Sequence, residues 1–401
     1  MITVTTYRSL FALREFRVLF GARLFTMTGV VVGGLALGTV MYDATGSAVL
    51  TALAMFGDPL IQLVTSHFLL ASSDLLRPRA ALLLATTAAA VADLLQLIPH
   101  LPWGARFVLL AAEYVVLAAT GGTVTALLSD IVPSESFVLA RATMNITTGG
   151  IQVLGNAVGA LLLVSFTPVD LFAVSAAALL LSAGILRARL ADHPPRAKGP
   201  VVARTRAVNR LLLGSPIVRP VLLMGWIPNG LIVGCEALYI PYAPRHAGYL
   251  FAAGAVGMLT GDIVVGRFLP EPVRQRLVVP LRLLLAVPFL VMFTDPPVVV
   301  AALAGLIGAF GYTASLPLQQ RIVHHVDDSQ KGQAFGLLSS GMMAGQALGA
   351  LTAGVVAQAL SPATGMGIMA VLSIGATCLL APPLRRSALE PDSPHRQTSP
   401  V

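Results

Sequence analysis

Charge is scarce in this chain: Asp, Glu, Lys and Arg make up 11% of its 401 residues. A soluble domain carries about a quarter, so an ordinary soluble globular protein is excluded, as the mean hydropathy of +0.82 also requires. Cysteine is nearly absent. Cys235 and Cys378 lie far apart within apolar stretches, which excludes a disulfide framework and reads as small apolar packing residues. The histidines are scattered apart from His324-His325 and show no metal-ligand spacing. No phosphate loop of the form G-x-x-x-x-G-K-[ST] occurs, so nucleotide-driven work would need another subunit. No nucleophile–base constellation is visible either, so no enzyme and no cofactor are expected. A cleavable signal is not expected: the first apolar run is too long for a signal core and lacks a small-residue cleavage site.

What the chain has is apolar length. At 56% apolar residues it divides into twelve spans, at 18–42, 47–70, 80–99, 103–128, 138–165, 170–187, 217–242, 247–268, 277–294, 297–318, 333–358 and 363–384. Most reach the roughly 20 residues that a helix needs to cross about 30 Å of hydrocarbon. The basic residues confirm the cuts. They sit at the N-terminus (Arg8, Arg14, Arg17) and then in alternate loops, whereas only Arg106 and Arg245 fall on the other side. By the positive-inside rule both termini are cytoplasmic. The net charge of +8 is therefore a topology signal spread over several loops, and nucleic acid is not an expected partner; the lipid bilayer is.

The longest polar interval, with Pro194-Pro195 and many basic residues, divides the chain. We expect a six-helix bundle over 1–186, a cytoplasmic linker over 187–216, a second six-helix bundle over 217–386 and a disordered cytoplasmic tail over 387–401. The halves echo each other: Val132, Ala140 and Leu154-Gly155 recur as Val326, Ala334 and Leu348-Gly349 at identical spacing. Duplicated bundles describe one class of secondary transporter.

Several motifs carry a more specific resemblance. The first span opens "EFRVLFGARLFTMTG"; the second follows "DATGSA", contains Pro59 and precedes Asp74; "DIVPSESFVLARATMN" and "HVDDSQKGQAFGLL" enter the fifth and eleventh; and "CEALYIPYA" leads to "GAVGMLTGDIVVGRFLP". In order and spacing these resemble the major facilitator superfamily over about residues 8–386, and most nearly its drug:proton antiporter branch with macrolide-efflux-type exporters. The resemblance implies an all-α membrane protein of twelve transmembrane helices in two six-helix bundles, placed in the plasma (inner) membrane. It implies proton-coupled export of a small-molecule substrate, drug-like or a secondary metabolite, with protons as the coupled ion. The departures are specific. The loop between the second and third spans keeps Asp74 and Arg79 but has Leu70, Leu75 and Pro78 where the family has Gly, Arg and Arg; Val30 replaces an acid of the first span; and Asn156 replaces a proline of the fifth. They leave two alternatives: uptake or facilitated movement of a small metabolite, and a non-transporting sensor or assembly protein on a degenerate transporter fold.

Ionisable groups within a bilayer cost about 2.5–3.5 kcal/mol each on insertion scales, so each needs an account. The candidates are Arg23, Asp58, Asp93, Glu113, Arg141, Glu236 and Asp262. Glu113 lies ten residues into the fourth span, about 15 Å deep. In the superfamily the first, fourth, seventh and tenth helices line the central cavity. A carboxylate there can carry a proton through a cycle and attract a cation when ionised; the alternative is a structural acid bonded to a nearby Ser or Thr. Glu236, late in the seventh span beside Pro228 and Pro241, is a substrate or outer-gate residue, or else a solvated helix end. Asp58 precedes Pro59 at an expected kink and would gate the seam against Gln346, or be satisfied by Thr51. The resemblance places Arg141 opposite Asp262 as an ion pair closing the cytoplasmic side; otherwise Arg141 snorkels. Asp74 is expected to cap the eleventh helix near Gly332 and Gln333, biasing the conformational equilibrium. Arg23 either snorkels or gates, and Asp93 reads as structural. The stripes Gly341-Gly345-Gly349 and Gly155-Gly159 are expected packing and rocking surfaces.

Overall fold

The computed structural model describes residues 7–68, 77–133, 137–163, 165–193, 201–326 and 328–387, and every described element is helical. A short α1 (Tyr7–Ala12) leads into α2 (Arg14–Thr45), α3 (Ala48–Phe68), α4 (Pro78–Leu95), α5 (Trp103–Ile131), α6 (Phe137–Leu162) and α7 (Asp170–Arg189). After α8 (Val201–Gly214) come α9 (Val218–Ala237), α10 (Tyr239–Tyr242), α11 (Ala247–Ile263), α12 (Glu271–Arg276), α13 (Val278–Ala286), α14 (Val298–Phe310), α15 (Ser315–His325), α16 (Asp328–Ala359) and α17 (Pro362–Ser387). Among the described residues, eight helical stretches are long and apolar enough to cross a membrane, from Arg14–Thr45 to Pro362–Arg385. Two shorter apolar helices, Ala48–Gly57 and Val278–Thr294, fall on the second and ninth predicted spans. The outer faces carry exposed Leu84, Val108, Phe268, Val299 and Leu379, apolar side chains that suit a lipid surrounding.

Helix ends follow local chemistry. Gly46 takes φ 63°, a left-handed conformation that glycine adopts without a Cβ clash, and its N–H closes on the Tyr42 carbonyl at 2.8 Å, which stops α2. Pro78 opens α4 at a position where its missing N–H costs nothing. Arg106 is buried and bonds the Gln96 carbonyl at 2.5 Å and the Leu101 carbonyl at 3.2 Å, while Gln96 Nε2 returns a bond to the Arg106 carbonyl at 2.8 Å. A cation thus satisfies carbonyls freed where α4 ends and staples it to α5.

The two halves are built alike. Ser175 on α7 donates to the Gly29 carbonyl of α2 at 2.7 Å, and Ser373 on α17 donates to the Pro228 carbonyl of α9 at 3.0 Å. Within each half, then, the last helix bonds the first through a buried serine at nearly the same separation. The pairs recognised in the sequence share environments as well. Val132 and Val326 are buried extended residues closing α5 and α15, Ala140 and Ala334 are fully buried, and Leu154 and Leu348 are 54% and 53% exposed. Gly155 packs on Val31 of α2, and Gly349 packs on Gly230 of α9. The glycine stripes are therefore packing surfaces within a half; the Gly341, Gly345 and Gly349 contacts all fall on α9 rather than on the opposite half.

Across the halves α3 packs on α16 and α6 on α11. At the end away from the Arg77, Arg187 and Arg274 loops, Tyr42 Oη donates to the Pro241 carbonyl at 3.0 Å and the Ala48 N–H donates to Gln358 Oε1 at 3.1 Å. These bonds latch the halves at that end. Part of the expected linker is ordered: α8 packs on α9 and α16, burying Leu212, with Asn209 Oδ1 accepting from Gln333 Nε2 at 2.8 Å.

Candidate functional site

Helix breaks shape the interior. In α3, Phe56 leaves helical geometry (φ −124°, ψ 15°) three residues before Pro59, where the expected kink falls. Pro288 ends α13 and turns the ninth span into a 3₁₀ helix, Val287–Thr294. The tenth span is broken by the 3₁₀ turn Gly311–Ala314 between α14 and α15, just before Pro317. Pro228 lies within α9. Irregular backbone at membrane depth is tolerated where it lines a cavity, and Phe56, Asn229 and Tyr312 each stand at or beside a break and on a cavity wall.

The first cavity, narrow and with about 640 Å³ of non-atom space once its opening to solvent is counted, lies chiefly within the second half. Glu236 is on its wall, with Tyr239 and Tyr312 and the apolar Ile232, Val233 and Phe289. Asn229 is 2% exposed with Nδ2 unpartnered, and Gln346 is buried with Oε1 unpartnered, among the described residues; both line this cavity. A donor, an acceptor and a carboxylate thus face one largely apolar space, the arrangement that orients an amphipathic small molecule.

A second cavity of about 1020 Å³ adjoins it towards the basic end, sharing Met258, Tyr312 and Met342 as a common wall. Asp262, half in the open, and Gly150 of α6 line it, so both halves contribute. Its wall also carries Arg282, a residue that the span-by-span reading passes over. Arg282 is 0% exposed, and Nη2 donates to Ser315 Oγ at 3.2 Å, whereas Nε and Nη1 find no acceptor among the described residues. Tyr312 stands within electrostatic reach of Arg282, Asp262 and Glu236. The signal for Arg282 was present as the only cation inside the ninth predicted span.

The other expected site residues scatter. Glu113 is 3% exposed, interacts with a neighbouring group, and lies outside the walls of both central cavities. The next residue, Tyr114, donates to the Ala54 carbonyl at 2.8 Å, tying α5 to α3. Asp93, read as structural, is 1% exposed on α4 and points at Gly33 of α2. Arg79 donates to the Arg187 carbonyl and Arg77 pairs with Asp192, so this loop's arginines bind the end of α7 in their own half. Arg23 is half-buried and engaged. Asp74 and the side chains of Asp58 and Arg141 lie outside the described residues, as do residues 388–401 of the tail and 194–200 of the linker, while Ser387 ends α17. Thr51, offered as a partner for Asp58, instead donates to the Ser47 carbonyl at 2.9 Å. Of the cysteines, Cys235 is buried and contacts the Met366 carbonyl at 3.5 Å, whereas Cys378 is exposed on α17.

Comparisons place this geometry among transporters. The family model described as Major Facilitator Superfamily matches residues 240–400. A search of curated proteins finds no match. Among solved structures, a POT family transporter in complex with 5-aminolevulinic acid superposes with a TM-score of 0.67 at 12% identity, covering 93% of this chain and 96% of its own. The POT family transporter PepTSo gives 0.66 at 12% identity, covering 94% and 99%. The human organic anion transporter MFSD10 (TETRAN) gives 0.61 at 18% identity, covering 92% and 99%. Over nearly the whole chain the fold is therefore similar to that of these membrane transporters.

Proposed function

We propose that this chain is a secondary active transporter of the plasma membrane that exports a drug-like or secondary-metabolite compound in exchange for protons. In this reading twelve spans form two duplicated bundles, 1–186 and 217–386, with both termini cytoplasmic, and the bundles rock around the paired cavities. The observation that carries it is Glu236, an ionisable side chain on the wall of the first cavity beside the unpartnered Asn229 and Gln346. A carboxylate there binds cargo when ionised and releases it on taking up a proton, which couples the two fluxes. Glu113, walled away from both cavities, supports its own bundle.

The test is accumulation of fluorescent lipophilic cations and antibiotics in an efflux-deficient host, with and without an uncoupler. The wild-type chain should lower accumulation of some compounds, and the uncoupler should abolish that effect. Glu236→Gln should abolish it too, while Glu113→Gln at matched expression should retain most of it. Unchanged accumulation across the panel would overturn the export reading. Export surviving Glu236→Gln would remove this residue from the coupling path.

A further inference from the structure

Arg282 is hard to account for as a structural residue. It sits about 6 Å along α13 from its basic end, is completely buried, and lies on the wall of the larger cavity. Ser315 Oγ accepts from Nη2, and Nε and Nη1 have no acceptor among the described residues. Arg321, another buried arginine of this half, is held by Gln275 Oε1, the Gln275 carbonyl and the Leu384 carbonyl. An arginine kept buried with donors to spare, beside a space large enough for a small molecule, is arranged to receive an acceptor from outside the chain.

We infer that Arg282 is the seat for an anionic group of the transported compound, a carboxylate held by the free Nη1 together with the second N–H of Nη2, while its apolar body rests on Met258, Phe335 and Leu338. The planar guanidinium offers donors in a fork that matches a carboxylate, whereas an ester or amide presents no charge to it. Asp262 faces the same cavity from α11 and opposes an anion there, which weakens retention and lets the cargo move on towards Tyr312 and the Glu236 cavity. The cargo this describes has an acidic group, with any basic group directed to Glu236. The inference rests on the transporter reading and narrows its substrate class.

The experiment uses purified full-length protein in nanodiscs and a panel of aryl and alkyl carboxylic acids, each paired with its methyl ester, read by binding-induced thermal shift. Some acids should bind wild type at least about tenfold tighter than their esters, the loss that follows when a buried charge loses its partner. Arg282→Gln should erase the preference, and Arg282→Lys should keep part of it. Asp262→Asn, at an exposed position, should tighten acid binding, so the inference does not depend on one buried substitution. If no acid outperforms its ester on wild type, or if the preference survives Arg282→Gln, the site is wrong. Export of cations in cells with no acid preference in vitro would sink this site and leave the transporter standing. Acid binding through Arg282 with no transport of any compound would do the reverse.

Discussion

Arg282 and Arg321 are both buried arginines of the second half, and they are supported very differently. Arg321 makes bonds of 2.7 Å to Gln275 Oε1 and 2.9 Å to the Leu384 carbonyl, joining α12, α15 and α17. Removing it leaves those acceptors buried and unpaired, so Arg321→Met should destabilise the protein by about 2–3 kcal/mol. Arg282 has one hydroxyl partner, and an apolar replacement of similar volume removes an uncompensated buried charge. Arg282→Met should therefore leave the melting temperature unchanged or raise it. Thermal unfolding of both variants in one detergent checks the pair; a larger loss at Arg282 than at Arg321 would show that its charge is structural. The same scale shows what a sequence yields about a site. Depth along a span is countable, so Glu236 and Glu113 both stood out. Which way a helix is rotated depends on what packs against it, and depth alone does not tell that Glu236 lines a cavity while Glu113 is buried outside the two central ones. Arg282 is as countable as either, an intramembrane cation of the same kind as Arg23 and Arg141.

Elements join here through glycine as much as through apolar side chains. A Cβ at Gly349 would overlap the Gly230 carbonyl, and one at Gly345 would lie 3.0 Å from the Trp226 carbonyl, so α9 and α16 approach backbone to backbone. Gly349→Ala should cost about 1–3 kcal/mol by forcing those helices apart. Gly184→Ala, on α7 where nothing lies within 4 Å, should cost far less. Comparative unfolding of the two variants decides whether the stripe is a packing surface. Such stripes are visible in sequence as a four-residue repeat, but their partner is not. Gly345 and Gly349 looked as suited to the seam between halves as to the packing within one. The breaks were partly legible: Pro59 announced the departure at Phe56, and Pro288 and Pro317 mark the ninth and tenth spans just as openly. Helix α8 was not, because its arginine-rich composition reads as solvated linker until Leu212 finds α9 to pack on.

At the scale of the whole molecule, the four repeated positions from Val132 to Gly155 proved informative because each pair shares burial and backbone role with its counterpart. Their spacing could not reveal how the halves face each other, since that depends on contacts such as Tyr42 with Pro241 and Ala48 with Gln358. Those bonds hold one end shut. Tyr42→Phe removes one of them, about 0.5–1.5 kcal/mol, and should move the conformational population several-fold towards the state open at that end. Distance distributions between spin labels on the loops of that end would report the change; an unaltered distribution would mean that the latch does not bias the cycle. The acceptor of that latch is main chain: any residue at position 241 presents the same carbonyl, whereas only a hydroxyl-bearing side chain at position 42 supplies the donor. Sequence change at Pro241 therefore leaves the bond available, and the vulnerability of the contact lies wholly at Tyr42.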